Sequence, residues 1–284
     1  MIGDFAYFGP GGNSDDFHRK GFSSTVFAPA YVSSLGLNAY EYEAGNGLSA
    51  NSATLLKIGE EARKNSVKMS YHTPYFISLS GLIPEKRLKS ISYIKESLDA
   101  ANLLGASIIV VHAGSCAKIS REQALYLAKD TLYHTLATVD TYGIKIGIET
   151  MGKLNQLGTL EEVIDICSMD SSLVPVVDFG HLNARECGGV FRTRDDYLRV
   201  FDRISSCLSY EVAKNLHCHF SKIEWTDKGE KKHLTFADNE FGPPYEPLVD
   251  VIAKESLSTT VIIESAGTQS LDALEMMNLY NRIK

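Results

Sequence analysis

The chain has 284 residues, 44% of them hydrophobic and 22% charged, which exceeds the usual single-domain size yet suits one α/β barrel of ~250 residues. No apolar run approaches the ~20 residues that cross a bilayer, and the opening MIGDFAYFGPGG lacks a basic segment followed by a long apolar core, so a cytoplasmic protein without membrane contact is expected. A formal net charge of −7 argues against a broad basic surface for nucleic acid, although a carboxylate-rich site neutralised by its own cations still attracts phosphate.

The first candidate strand is Ile2–Phe8, followed by a helical stretch over Ser23–Leu35, a strand at Asn38–Tyr42 and a helix over Asn51–Lys64. Val67–His72 reads as the third strand, and a long helix from Pro84 to Leu104 leads to a fourth at Ser107–His112. Ser120–Tyr142 reads as helix, with Ser120 as N-cap and Gln123 completing a capping box. Ile144–Glu149 is the fifth strand, and a second box, Thr159 with Glu162, opens a helix running to Cys167. The remaining strands are Val174–Asp178, Asn215–Phe220 and Thr260–Glu264, with helices near Asp195–Cys207, Tyr245–Lys254 and Ser270–Arg282. Ser-Ile-Ile-Val-Val at 107–111 is apolar without alternation, as a parallel strand buried on both faces requires. Eight strands, each followed by a helix, predict a single (β/α)₈ TIM barrel over residues 1–284 rather than an open doubly wound sheet. The longest irregular stretch, Lys222–Pro244, reads as a functional loop.

Potential metal ligands gather at the strand ends. His72, His112, Glu149, Asp178 and Glu264 end strands three, four, five, six and eight; His181 follows three residues after Asp178, His217 and His219 lie in strand seven, and His233 lies in the loop beyond. A lone histidine at a strand end is more often a hydrogen-bonded structural residue, and a lone acid more often a helix cap. Six consecutive strands ending this way are a different matter, because the C-terminal ends of barrel strands converge on one mouth, where barrel enzymes do their chemistry. His18 and His134 fall outside the pattern. Imidazole with carboxylate suits Zn²⁺, Mn²⁺ or Fe²⁺ better than Mg²⁺. The five cysteines are scattered without a CxxC pair, so neither a disulfide framework nor a cysteine-ligated zinc site is expected. One metal needs three or four protein ligands; this many candidates imply at least two metals, with Glu149 bridging. Paired ions clamp a phosphoester by lowering the pKa of a bridging water and stabilising the leaving oxygen.

At these residues the chain resembles the endonuclease IV family of apurinic/apyrimidinic endonucleases. Tyr71-His72-Thr73-Pro74-Tyr75 and Val111-His112-Ala113-Gly114-Ser115 resemble its first two zinc-histidine motifs, and Ile148-Glu149-Thr150-Met151-Gly152 its bridging-glutamate segment. Val177-Asp178-Phe179-Gly180-His181, Leu216-His217-Cys218-His219-Phe220-Ser221-Lys222 and Ile263-Glu264-Ser265 resemble the later ligand motifs. The resemblance implies two or three zinc ions and cleavage of DNA 5′ to abasic sites, with Glu149, Asp178 and Glu264 as catalytic carboxylates. Carried over by position, the first metal takes His72, His112 and Glu149; the second Glu149, Asp178, His217 and Glu264; the third His181 and His233. Tyr75, His219 and Lys222 are then assigned to substrate.

Two departures stand out. The family's Asp-x-His is Lys231-Lys232-His233 here, leaving three options: Glu230 takes the aspartate's place, the third metal binds weakly, or the site is dinuclear. The loop after strand two, Glu43-Ala44-Gly45-Asn46-Gly47-Leu48, has no arginine, where the family carries a basic loop against DNA. A sugar isomerase or epimerase on the related xylose-isomerase-like barrel is the second reading, with one Mn²⁺ on Glu149, Asp178, His217 and Glu264. A barrel that binds metal or damaged DNA without turnover is the third. Lys153, Asn155, Gln156, Arg185, Arg192 and Arg194 are candidate phosphate contacts, Trp225 a candidate pocket cover, and Gly9-Pro10-Gly11-Gly12 a turn allowing close backbone approach. The oligomeric state is taken as a monomer.

Overall fold

In the computed structural model, which describes residues 5–284, eight parallel strands form one sheet in a nearly closed barrel, with helices between them. They are β1 (Tyr7–Pro10), β2 (Ala39–Glu43), β3 (Lys68–His72), β4 (Ile108–His112), β5 (Lys145–Glu149), β6 (Leu173–Asp178), β7 (His217–Phe220) and β10 (Thr260–Ile263); β8 (Ile223–Thr226) and β9 (Gly229–His233) form a separate hairpin. The order is β1-β10-β7-β6-β5-β4-β3-β2, and the seam between β1 and β2 closes through a parallel bridge from Gly11 to Glu41. Asn38 bonds both ways across this seam, accepting from Phe8 N at 2.8 Å and donating to Ala6 O at 3.3 Å. Gly9 allows the approach, since a Cβ there would lie 1.7 Å from the carbonyl oxygen of Ala39.

Period-two alternation divides each strand between bore and shell. Ile108, Val110 and Val176 pack with Val174 as a small cluster, while Ile109, Val111 and Val177 belong to the large core under the helices. In β4 the bore-facing row ends in His112, and in β6 it ends in Asp178. Apolar packing low in the bore thus continues upward into polar side chains at the C-terminal mouth.

Most expected elements form within a residue or two, and the differences have local causes. The first strand is shifted to Tyr7–Pro10; residues 2–4 of its expected span lie outside the described residues. The helix opened by Ser120 stops at Thr138, not Tyr142, because Val139 is extended and Asp140 Oδ1 accepts from Tyr142 N at 2.8 Å, making a turn. Ser120 caps Gln123 N at 3.1 Å without the reciprocal glutamine bond. At Thr159 and Glu162 both bonds of the box form. Within the expected loop Lys222–Pro244, residues 223–233 form the β8–β9 hairpin, and residues 234–244 are irregular as expected. Among the described residues, no helix is long and apolar enough to cross a membrane.

Candidate metal centre

Strand register decides which side chains share a level. His112 pairs with Glu149 across β4 and β5, and Asp178 pairs with His219, not His217, across β6 and β7. Asp178 then serves twice. Its Oδ1 accepts from His181 N at 2.7 Å, capping the short helix Phe179–Arg185 and turning His181 back to the mouth, while Oδ2 has no hydrogen-bond partner. The hairpin docks on the loop after β5, with Glu230 N donating to Gly152 O at 3.1 Å and Leu154 N to Lys228 O at 3.2 Å. That docking carries Glu230 and His233 to the mouth.

Glu149 is the hub. Its Oε1 lies 3.0 Å from His219 Nδ1 and 3.5 Å from His181 Nδ1; its Oε2 lies 3.2 Å from His112 Nε2 and 3.5 Å from His72 Nε2. Among the described residues, five overlapping sets of donor atoms could hold a cation: His72, His112 and Glu149; Glu149, Asp178, His219 and Glu264; His181, Glu230 and His233; and, around Glu41, a set with His217 and His219 and one with Glu43 and Glu264. The first three adjoin through Glu149 and the ring of His181. They border a cavity of about 340 Å³ whose lining also includes Tyr75, Met151, Lys153 and Gln156.

Burial and crowding shift the titration of these groups. Burial raises the Glu264 carboxyl to about 8, with Glu149 and Asp178 adding to the rise and His219 opposing it. Burial likewise raises Glu43 to about 7 against the pull of His72. Burial disfavours the charged form of His72, yet the carboxylates of Glu43 and Glu149 outweigh it and raise its pKa to about 10. For Glu149 burial acts upward, but His219, His112 and His181 hold the carboxyl well below its usual range. Buried carboxylate oxygens without a hydrogen bond, Glu149 Oε2 and Asp178 Oδ2 among them, leave a desolvation cost that the neighbouring imidazoles offset only in part. Divalent cations among these donors would remove that cost, and imidazole with carboxylate is a chemically suitable set for Zn²⁺, Mn²⁺ or Fe²⁺. The residues present fit a metal.

Several expected roles are corrected. His217 does not join the second donor set; it sits one layer lower, level with Val176, with Nε2 2.9 Å from Glu41 Oε2, and groups there with Glu41 and His219 in a further set of donors that could hold a metal. His219, assigned to substrate, takes its place beside Glu149, Asp178 and Glu264. Lys222 is occupied elsewhere, donating to the carbonyl oxygens of Phe236 at 2.7 Å and Asp238. Arg185 is buried and spans the β5 loop, donating to the carbonyls of Met151 and Lys153 at 3.0 and 2.9 Å. Arg194 pairs with Asp250 at 3.2 Å and with Glu255; neither it nor Arg192 lines the cavity. Asn155 and Trp225 do not line it either; the Trp225 ring packs edge-on against Phe241. Tyr75 does stand at the site, exposed, with its ring 5.3 Å from that of His72 and 5.4 Å from that of His112.

Sequence reasoning missed Glu41 and Glu43. Their signal was Glu-x-Glu at the end of β2, where alternation puts both acids on the bore face and Tyr40 and Tyr42 on the other.

Residues 29–280 match the pattern of the xylose isomerase-like TIM barrel family. The chain belongs to this family. Among curated relatives, an uncharacterized protein of Methanocaldococcus jannaschii is 28% identical over 251 residues, covering 88% of this chain and 89% of the relative. A protein named probable endonuclease 4, from Acholeplasma laidlawii, is 28% identical over 189 residues, 65% of this chain and 62% of that one. Among solved structures, a D-tagatose 3-epimerase-like protein superposes with a TM-score of 0.68 at 18% identity, covering 87% of this chain and 89% of its own. Endonuclease IV from Thermus thermophilus superposes with a TM-score of 0.66 at 19% identity, covering 91% and 93%. Proteins named for different chemistries thus share this barrel fold, and the fold alone does not choose between them.

Proposed function

We propose that this barrel is a metal-dependent phosphodiester hydrolase acting on DNA at abasic sites, with two or three Zn²⁺, Mn²⁺ or Fe²⁺ ions in the mouth. The observation carrying the proposal is the third donor set. An epimerase needs one cation, for which Glu149, Asp178, His219 and Glu264 suffice; His72 with His112, and His181 with Glu230 and His233, are then surplus. Resident ions would lower the pKa of water and offset the charge of a phosphoester. Glu149, shared by two sets, would fix their spacing, and Asp178 and Glu264 would complete the central set. Lys153, on the cavity lining, supplies a cation for a phosphate oxygen. Tyr75 presents an exposed aromatic face that could enter the gap left by a missing base. The names of the curated relatives, several of which are probable endonuclease 4, support the same reading. The proposal treats the chain as one domain working in the cytoplasm, in keeping with five unpaired cysteines.

The test pairs elemental analysis with cleavage of a duplex carrying a single abasic analogue. Two or three ions per chain and incision 5′ to the lesion support the proposal. One ion and no incision would favour the second reading, sugar epimerisation, which the complete four-residue central set and the likeness to the D-tagatose 3-epimerase-like protein also support. Glu149 and Glu264 are then the candidates to exchange protons with the substrate carbons.

A further inference from the structure

One histidine of the mouth is anchored unlike His72, His181 and His233. Nδ1 lies 2.9 Å from Thr73 O in His72, 2.9 Å from Thr150 O in His181 and 2.8 Å from Ser221 Oγ in His233. In each ring Nε2 is then turned toward a carboxylate of the donor sets, Glu149 for His72 and Glu230 for the other two. His219 is reversed and its anchor is charged. Its Nε2 lies 2.8 Å from Glu41 Oε1, and its Nδ1 lies 3.0 Å from Glu149 Oε1 and 3.2 Å from Glu264 Oε1. The approach is an ion-pair contact, since neither Glu41 Oε1 nor His219 Nε2 makes a hydrogen bond among the described residues. The second oxygen of Glu41 rests 2.9 Å from His217 Nε2, and all three side chains are buried.

We propose that Glu41 is a positioning residue, held by His217 from below, that fixes the ring plane of His219 and directs its Nδ1 at the central donor set. Barrel stability gives no reason for the arrangement. Beside it the bore holds the aliphatic cluster of Ile108, Val110, Val174 and Val176 as well as Lys68, bonded to Thr260 at 2.9 Å, and replacing buried ion pairs with aliphatic side chains is often neutral or stabilising. A ligand histidine, by contrast, gains basicity and a fixed tautomer when its far nitrogen meets a carboxylate, and losing such a partner costs 10–100-fold in metal affinity. The inference rests on His219 as a metal ligand. It holds for hydrolase and epimerase alike, because both use the central set.

The test is Co²⁺ titration, by calorimetry and visible absorption, of wild type, Glu41→Gln and His217→Gln. Glu41→Gln is expected to keep the fold, since glutamine has the same shape, with a lowered metal-free melting temperature because His217 and His219 lose their buried counter-charge. Its affinity should fall 10–100-fold at one site only, with an altered cobalt spectrum. His217→Gln should show a smaller loss in the same direction. Wild-type affinity and spectrum in Glu41→Gln overturn the proposal, as does weakening at every site. If Glu41→Gln does not fold, His217→Gln decides, and unchanged Co²⁺ affinity there refutes the role. Failure of wild type to bind Co²⁺ would instead remove the metal reading itself.

Discussion

Removing the Glu230 carboxylate should take one metal ion from the mouth and leave the others. Glu230 Oε2 lies 3.5 Å from His181 Nε2 and its Oε1 lies 4.0 Å from His233 Nε2, so it is the charged member of a three-donor set. Loss of an outer partner of a metal ligand costs 10–100-fold in affinity. Loss of a direct, charged donor from a set of three should cost at least the upper end, about 100-fold or ~2.7 kcal/mol. Glu230→Ala and wild type would be dialysed against zinc buffered just above the level that saturates wild type, and the bound metal counted by elemental analysis. The variant is expected to retain one ion fewer. Gly152→Ala offers an orthogonal check, because its Cβ would sit 2.6 Å from Glu230 Cβ and 3.0 Å from Glu230 Oε2. It should weaken the same site without deleting a donor. Full retention of metal by Glu230→Ala would refute the reasoning, and the hydrolase proposal would lose the observation that carries it.

Chelation should lower stability steeply. At 100-fold saturation each site contributes about 2.7 kcal/mol, so three sites give ~8 kcal/mol, and at roughly 2 °C per kcal/mol for a chain of this size the melting temperature should fall by ~16 °C with EDTA and recover with zinc; an unchanged melting curve would count against resident metal. Burial acts to raise the Glu162 carboxyl, but the Arg121 guanidinium, 2.7 Å away, and the N–H groups of Thr159 and Gly158 together hold it below its usual 4.5. Its stabilisation is therefore present above pH ~4.5 and lost as pH falls through the lower folded value, so Glu162→Gln should destabilise the protein at pH 7, by about 1–3 kcal/mol for a hydrogen-bonded charge, with the gap to wild type closing once the pH drops below the usual carboxylate range in urea unfolding. Tyr75→Ala should leave stability within ~0.5 kcal/mol, as for an exposed side chain, and metal content unchanged, while incision of abasic DNA falls at least ten-fold; equal incision would separate the ring from substrate.

The barrel was legible because its signals are local and repeat eight times. Ile108–Val111 can be read as a doubly buried strand, and Thr159 with Glu162 as a helix start, without knowing their neighbours. The errors fall where tertiary contact overrides a local pattern. The hairpin of β8 and β9 has little apolar alternation, with Lys228, Lys231 and Lys232 exposed around it, and it is held by pairing with itself and by docking on Gly152 and Leu154. Nothing in Lys222–Pro244 taken alone announces that.

The same distinction separates the visible part of the site from the hidden part. A strand-end histidine or acid is visible because barrel geometry sends every strand end to one mouth. Its level in the bore is not visible, since that depends on the stagger of each strand against its neighbours. Position in the motif favoured His217 as the ligand, whereas the β6–β7 register sets Asp178 beside His219 and leaves His217 one layer down. Glu41 was hidden for a related reason. It lies two residues before the end of β2 and faces the bore only because alternation puts it there, and its partner is 176 residues away in β7. A polar residue two positions inside a barrel strand end is therefore a candidate for the support of a metal site, and any assignment of ligands by motif alone needs the register before it can tell the ligand from its support.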